Sequence, residues 1–141
     1  MTANTTFEIV SDRVASKIEW FSEKSILIVT TKKSFINRAD FEALFHEVEN
    51  WVKKHSVAKL IFDKSSLRVF DQPSMVWYHL EWKPKMLAYG LKTYRKILPQ
   101  DTMFRTSVKI GKERILRDNP NWDPKRFDIQ YFDSVEEALE K

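Results

Sequence analysis

Apolar positions recur along this chain with two different periods, and the switches between them mark the elements. Phe7–Val10 (FEIV) and Lys17–Phe21 (KIEWF) are short and rich in branched and aromatic residues, which predicts strands. Ser25–Thr31 (SILIVTT) is a stronger strand, separated from the previous one by Ser22-Glu23-Lys24, a spacing that suits an antiparallel hairpin. The period then lengthens. Phe41, Leu44, Phe45, Val48, Trp51 and Val52 form one apolar stripe of helical period, with Asn37 placed to cap its start. Asp40 and Glu42 near its beginning and Lys53, Lys54 and His55 at its end have the signs that the helix dipole favours. This helix is expected to bury its stripe on the sheet that holds Ile28 and Ile61.

Lys59–Asp63 (KLIFD) reads as a short buried strand ending in a carboxylate. Pro73 opens a helical segment, Ser74–Trp82, that is apolar on more than one side, and Pro84 is expected to bend or end it. Lys92–Leu98 alternates as a strand stopped by Pro99. Asp101 can cap the next helix, where Phe104, Val108 and Ile115 share a face and Gly111 weakens the idea of one unbroken element. Asn119–Lys125 (NPNWDPK) is a loop, Phe127–Phe132 (FDIQYF) a strand, and Ser134 with Glu137 a capping box for a last short helix. The order β-β-β-α-β-α-β-α-β-α predicts an α/β fold, a mixed, mostly parallel sheet with helices packed on it. Neither repeats nor linkers divide the 141 residues, so residues 1–141 read as a single domain.

Composition narrows the chemistry. With no cysteine, disulfides, thiolate metal sites and a cysteine nucleophile are out of reach. Two glycines, Gly90 and Gly111, are too few for a phosphate-binding loop or a dinucleotide fingerprint. Apolar runs stay far short of membrane-spanning length, and the opening MTANTTFEIV lacks a basic region followed by an apolar one; the expected setting is the cytoplasm, without membrane insertion. The net charge of +4 is unevenly spread, because residues 85–117 carry nine basic side chains against Asp101 and Glu113. That block could meet an anionic partner, or be a solvated face neutralised by the acidic tail. Using it for nucleic acid would engage Lys92, Arg95, Lys96, Arg105, Lys109 and Arg114, with Tyr94 stacking on a base.

Candidate catalytic groups are sparse. His46 and His55, nine residues apart on one helix, point to opposite faces and cannot share a metal. His79 sits among Trp77, Tyr78, Glu81 and Trp82, an environment able to shift its titration. No motif of a metalloprotease or serine hydrolase is present, so the expectation is a non-enzyme with no catalytic residue, metal or cofactor. The carboxylates Asp63 and Asp71 are better placed: Asp63 at the C-terminal end of a buried strand, where open α/β sheets place ligands, and Asp71 before a helix start with Gln72 and Ser74 beside it. In bland terms they anchor loops.

The stretch LIFDKSSLRVFDQPSM resembles the signature of the STAS superfamily, the anti-sigma-factor antagonist and sulfate-transporter domains, in which a strand ends in an aspartate and a second aspartate eight residues on precedes a helix. GLKTYRKILPQDTMFR and YFDSVEEAL are similar to its SpoIIAA-like branch, a small STAS/SEC14-type domain. The resemblance covers nearly the whole chain. It implies a four- or five-stranded sheet with helices mainly on one side, and a non-enzymatic regulatory or ligand-binding role in signalling. The family's phosphorylatable serine directly follows the second aspartate; Gln72 stands there instead.

Met75, Val76, Trp77, Tyr78, Leu80, Trp82, Met86, Leu87 and Tyr89 fall within fifteen residues, more than one helical face can bury. Either the segment is buried on two sides or part of it is a binding or dimer surface. The expected binding residues are therefore Asp63, Asp71, Gln72, Ser74, Trp77, Tyr78 and Trp82. The expected occupant is a protein partner or a second copy of the chain, or a small apolar or anionic ligand. A nucleic-acid-binding surface and a small lipid-type carrier rank below.

Overall fold

The structure, a computed structural model, describes residues 7–141, so the reading of the first six residues, MTANTT, lies outside it. Strands β1 (Glu8–Asp12), β2 (Ser16–Phe21) and β3 (Ile26–Thr31) are followed by helix α1 (Arg38–Lys54), strand β4 (Lys59–Asp63) and a composite helix. That helix runs through α2 (Gln72–Trp77), a π-helical turn (Tyr78–Trp82) and α3 (Lys83–Leu87). Strand β5 (Thr93–Ile97), helix α4 (Thr102–Asp118), strand β6 (Asp128–Phe132) and helix α5 (Val135–Glu140) complete the chain. The six strands lie in chain order across one sheet. β1–β2 and β2–β3 are antiparallel; β3–β4, β4–β5 and β5–β6 are parallel. The sheet is thus mixed and mostly parallel, with one or two strands more than the resemblance implied.

The alternation of side chains divides the core by sheet face. On one face Ile18, Trp20, Leu27, Val29, Leu60, Phe62 and Tyr94 meet α1, the composite helix and α4. On the other, Phe21, Ile26, Ile28, Ile61 and Ile97 meet α5 through Ala138. The stripe of α1 is buried as expected, except that Trp51 is half-buried and stacks on His55 at 4.1 Å. It packs on Leu27, Val29, Leu60 and Phe62; Ile28 and Ile61, one residue out of phase, face away from it.

Two expectations about helix interruption are corrected. Pro84 does not end its helix, because the turn before it widens: the Lys83 N–H bonds to the Tyr78 carbonyl, five residues back. In a regular helix the proline ring would press on the Leu80 carbonyl, and the π-helical turn relieves that clash. Gly111 does not break α4, which runs unbroken over 17 residues. A Cβ there would come within 2.8 Å of Gln72 Oε1 and 3.3 Å of the Phe70 ring, so the glycine serves close approach between α4 and the start of α2.

Candidate functional site

The parallel strands deliver their C-terminal ends to one edge, where both aspartates lie. Asp63 closes the turn after β4: its Oδ1 accepts from the Ser65 amide at 3.0 Å and the Ser65 hydroxyl at 2.6 Å. The loop that follows is tied to the end of β3, with the Thr31 and Ser66 hydroxyls 2.7 Å apart and the Arg68 amide donating to the Ser34 carbonyl at 2.8 Å. Asp71 caps α2, its Oδ2 accepting from the Ser74 amide at 3.0 Å and the Ser74 hydroxyl at 2.7 Å. Local structure occupies both carboxylates, and Ser74 is buried beneath its own cap.

Gln72 leans toward α4, its Nε2 donating weakly to the Gly111 carbonyl at 3.4 Å, and it forms a ridge between two clefts. One, about 410 Å³, is lined by Arg38, Gln72, Trp77, Glu81 and Arg114. The other, about 440 Å³, is lined by Arg68, Val69, Phe70, Gln72, Met103 and Ile110. Val69, Met103 and Ile110 are 55%, 78% and 51% exposed, an apolar group rimmed by Arg68 and Arg114. Of the expected binding residues, Asp71, Gln72 and Trp77 border these clefts or cap the helix beside them, with Asp63 further along the same edge.

Tyr78 and Trp82 lie in the core, not at a surface. Their rings stack 5.6 Å apart, and both meet Phe45 edge-on at 4.9 Å. The segment is buried on two sides because the π-helical turn brings consecutive residues, Tyr78 with His79 and Trp82 with Lys83, into the interior. A dimer anchored on Trp82 loses its anchor, and the space beneath Trp77–Trp82 that a lipid-type carrier would need is filled by Phe41, Phe45 and Phe62. The nucleic-acid surface also comes apart. Tyr94 and Lys96 are buried on one face of the sheet, and Arg95 on the other, where it bonds to Asp128 at 3.0 Å.

Val69, Met103 and Ile110 were missed in the sequence. A signal existed: Met103 and Ile110 are seven apart, two turns along one helix face, and off the buried line of Phe104, Val108 and Ile115. Among the described residues no group of three or more His, Cys, Asp or Glu is arranged to hold a metal, and no helix is long and apolar enough to cross a membrane.

No family model matches the chain, and no curated protein does. Among solved structures, the anti-sigma factor antagonist SpoIIAA in its unphosphorylated form is similar over 96% of this chain and 94% of its own, with a TM-score of 0.53 and 13% identity. The chain has a SpoIIAA-like fold. At that identity the likeness is one of architecture.

Proposed function

We propose that the chain is a non-catalytic regulatory module that binds a protein partner on the outer surface where α2 and α4 meet. The observation that supports it best is the exposed apolar group Val69, Met103 and Ile110, flanking Gln72 and rimmed by Arg68 and Arg114. Methionine and arginine around an apolar centre suit a protein interface, and the arginines favour a partner with an acidic rim. The fold agrees with this reading, since the similar SpoIIAA is an anti-sigma factor antagonist. Here the carboxamide of Gln72 accepts no phosphate and the Ser74 hydroxyl is enclosed under Asp71, so the module works without phosphorylation at this helix start.

A photo-crosslinking residue at Met103 or Ile110, introduced in the native host, tests the surface. The expected outcome is one discrete protein adduct shared by both positions and absent when the probe replaces Ile9, exposed on β1. No adduct, or an equal one from position 9, overturns the reading.

A further inference from the structure

Away from that surface, under the composite helix, lysines gather in the interior. Lys64 follows β4, Lys83 follows the π-helical turn and Lys96 lies on β5, with side chains that leave their residues 3%, 1% and 0% exposed. Lys112 of α4, half-buried, completes the group and donates to the Tyr131 hydroxyl. Lys83 Nζ stands over the Tyr94 ring at 4.5 Å and the Tyr78 ring at 5.2 Å, and Lys96 Nζ over the Tyr78 ring at 5.1 Å. Aromatic faces soften the burial of an ammonium but do not replace a counter-charge.

Among the described residues no carboxylate lies within ion-pair distance of any of the four: Asp71 turns one oxygen to Ser74, and Glu113 is exposed in the lining of the neighbouring cleft. Lys83 Nζ, Lys96 Nζ, the Tyr78 and Tyr94 hydroxyls and His79 Nε2 are all buried with no hydrogen-bond partner in the protein. A single such atom is costly, and five in one region leave a hydrogen-bonding capacity that the protein itself does not satisfy. Burial and then the charge of neighbouring lysines push the Lys83 and Lys96 amines well below the ordinary lysine range, and the same four lysines bear on His79. The π-helical turn supplies Tyr78 and His79 and leads straight into Lys83, a place for an irregular turn that is common at binding sites. Lys64 and Lys96 lie at the C-terminal ends of β4 and β5, where sheets of this kind take their ligands. Lys83 reaches the rings of Tyr94 and Phe127 nearer the start of β5.

We propose that this nest binds a small phosphate-class oxyanion, reached from the cleft of about 310 Å³ that His79, Lys112, Leu116, Trp122 and Ile129 line. Amines and hydroxyls from the loop after β4, the composite helix, β5 and α4 suit a compact tetrahedral dianion. No arginine fork faces inward to pair with a planar carboxylate, and a nest this enclosed excludes a polymer backbone.

The test is thermal unfolding of the full chain in a phosphate-free buffer at pH 7, with sodium phosphate titrated against sodium chloride at equal ionic strength. A saturable rise in Tm, several degrees at about a hundredfold excess over Kd, is expected with phosphate alone. Lys83→Met and Lys96→Met should abolish the rise, and Lys112→Gln should weaken binding about tenfold. Glycerol 3-phosphate is the second arm. If it also binds, the cleft admits the organic part of a monoester; if only inorganic phosphate binds, the site is closed around the free ion, and either result sustains the proposal. Phosphate acting no better than chloride on the wild type overturns it, and so does a phosphate effect undiminished in all three variants. If the methionine variants fail to fold, the wild-type titration and Lys112→Gln still decide.

Discussion

The indole N–H of Trp82 donates to the main-chain carbonyl of Phe45 over 2.9 Å, so the π-helical turn is bonded to α1 as well as packed against it. Trp82 is 1% exposed and stacks on Tyr78. Trp82→Ala removes the ring and the bond together and should destabilise the protein by about 3–5 kcal/mol. Trp82→Phe keeps an aromatic face and leaves no orphaned donor, and should cost about 1–2 kcal/mol. Urea denaturation of both variants checks the order; a loss under about 1 kcal/mol for Trp82→Ala would place this ring outside the core.

On the adjacent helix, Leu44 is 2% exposed, within the cluster that includes Leu27, Val29, Leu60 and Phe62. Leu44→Ala should cost about 2–5 kcal/mol through lost transfer and a residual cavity. Because Ile61 points to the opposite face, Leu44→Ala and Ile61→Ala are expected to combine additively in denaturant titrations, within about 0.5 kcal/mol. A larger coupling would contradict the division of the core by the sheet.

Gly111 and Gln72 should be coupled, since a Cβ at 111 meets Gln72 Oε1 at 2.8 Å. Alanine improves helix propensity by about 1 kcal/mol, while the contact with Gln72 and the Phe70 ring opposes it. Gly111→Ala is therefore expected to be more favourable in a Gln72→Ala background than in the wild type, by about 0.5 kcal/mol or more. A double-mutant cycle from urea midpoints measures this, and zero coupling would show that Gln72 simply swings aside.

The α1 stripe and its Asn37 cap were legible in the sequence because a helix covered on one side repeats its apolar residues at a single period. The caps Asp71, Asp101 and Ser134 were legible for a similar reason: they are local chemistry. The π-helical turn was not, since runs such as Tyr78-His79 and Trp82-Lys83 fit no regular period, and Pro84 reads as an end unless the widened turn is known. Lys96 was misread for a deeper reason. In β5 the charges at 95 and 96 look like a solvated strand, yet α5 covers one face and the composite helix the other. Which long side chains are enclosed depends on what packs above them, which lies far away in the chain. The exposed residues beside Gln72 stayed hidden likewise, because Val69, Met103 and Ile110 become one group only when α4 lies against the start of α2.

No phosphate is expected on Ser74 in protein from the native host. Its hydroxyl donates to Asp71 at 2.7 Å inside a 2% exposed residue, out of reach of a kinase without unfolding the start of α2. Intact-mass measurement with peptide mapping checks this, and stoichiometric phosphate at Ser74 would mean that α2 opens.

The enclosed lysines also give stability an unusual pH dependence. Burial, helped by the charge of Lys112, lowers the Lys64 amine from its ordinary value of 10.5 to about 7. Between about pH 7 and pH 10.5 the unfolded chain then holds a proton on Lys64 that the folded chain does not. Stability must therefore rise with pH across that window, by up to about 1.4 kcal/mol per pH unit for each such amine, and this contribution becomes constant below about pH 7. Lys83 and Lys96, also lowered by burial, add in the same direction. From about pH 10 the Tyr78 and Tyr94 hydroxyls oppose this rise, because burial raises them and only the unfolded chain ionises them. Urea midpoints in phosphate-free buffer at pH 7.0, 8.0, 9.0 and 9.5 should climb for the wild type and climb less steeply for Lys64→Met, by about one proton's worth of slope. A flat wild-type profile over this range, or a slope unchanged in Lys64→Met, would show that Lys64 stays charged in the folded protein.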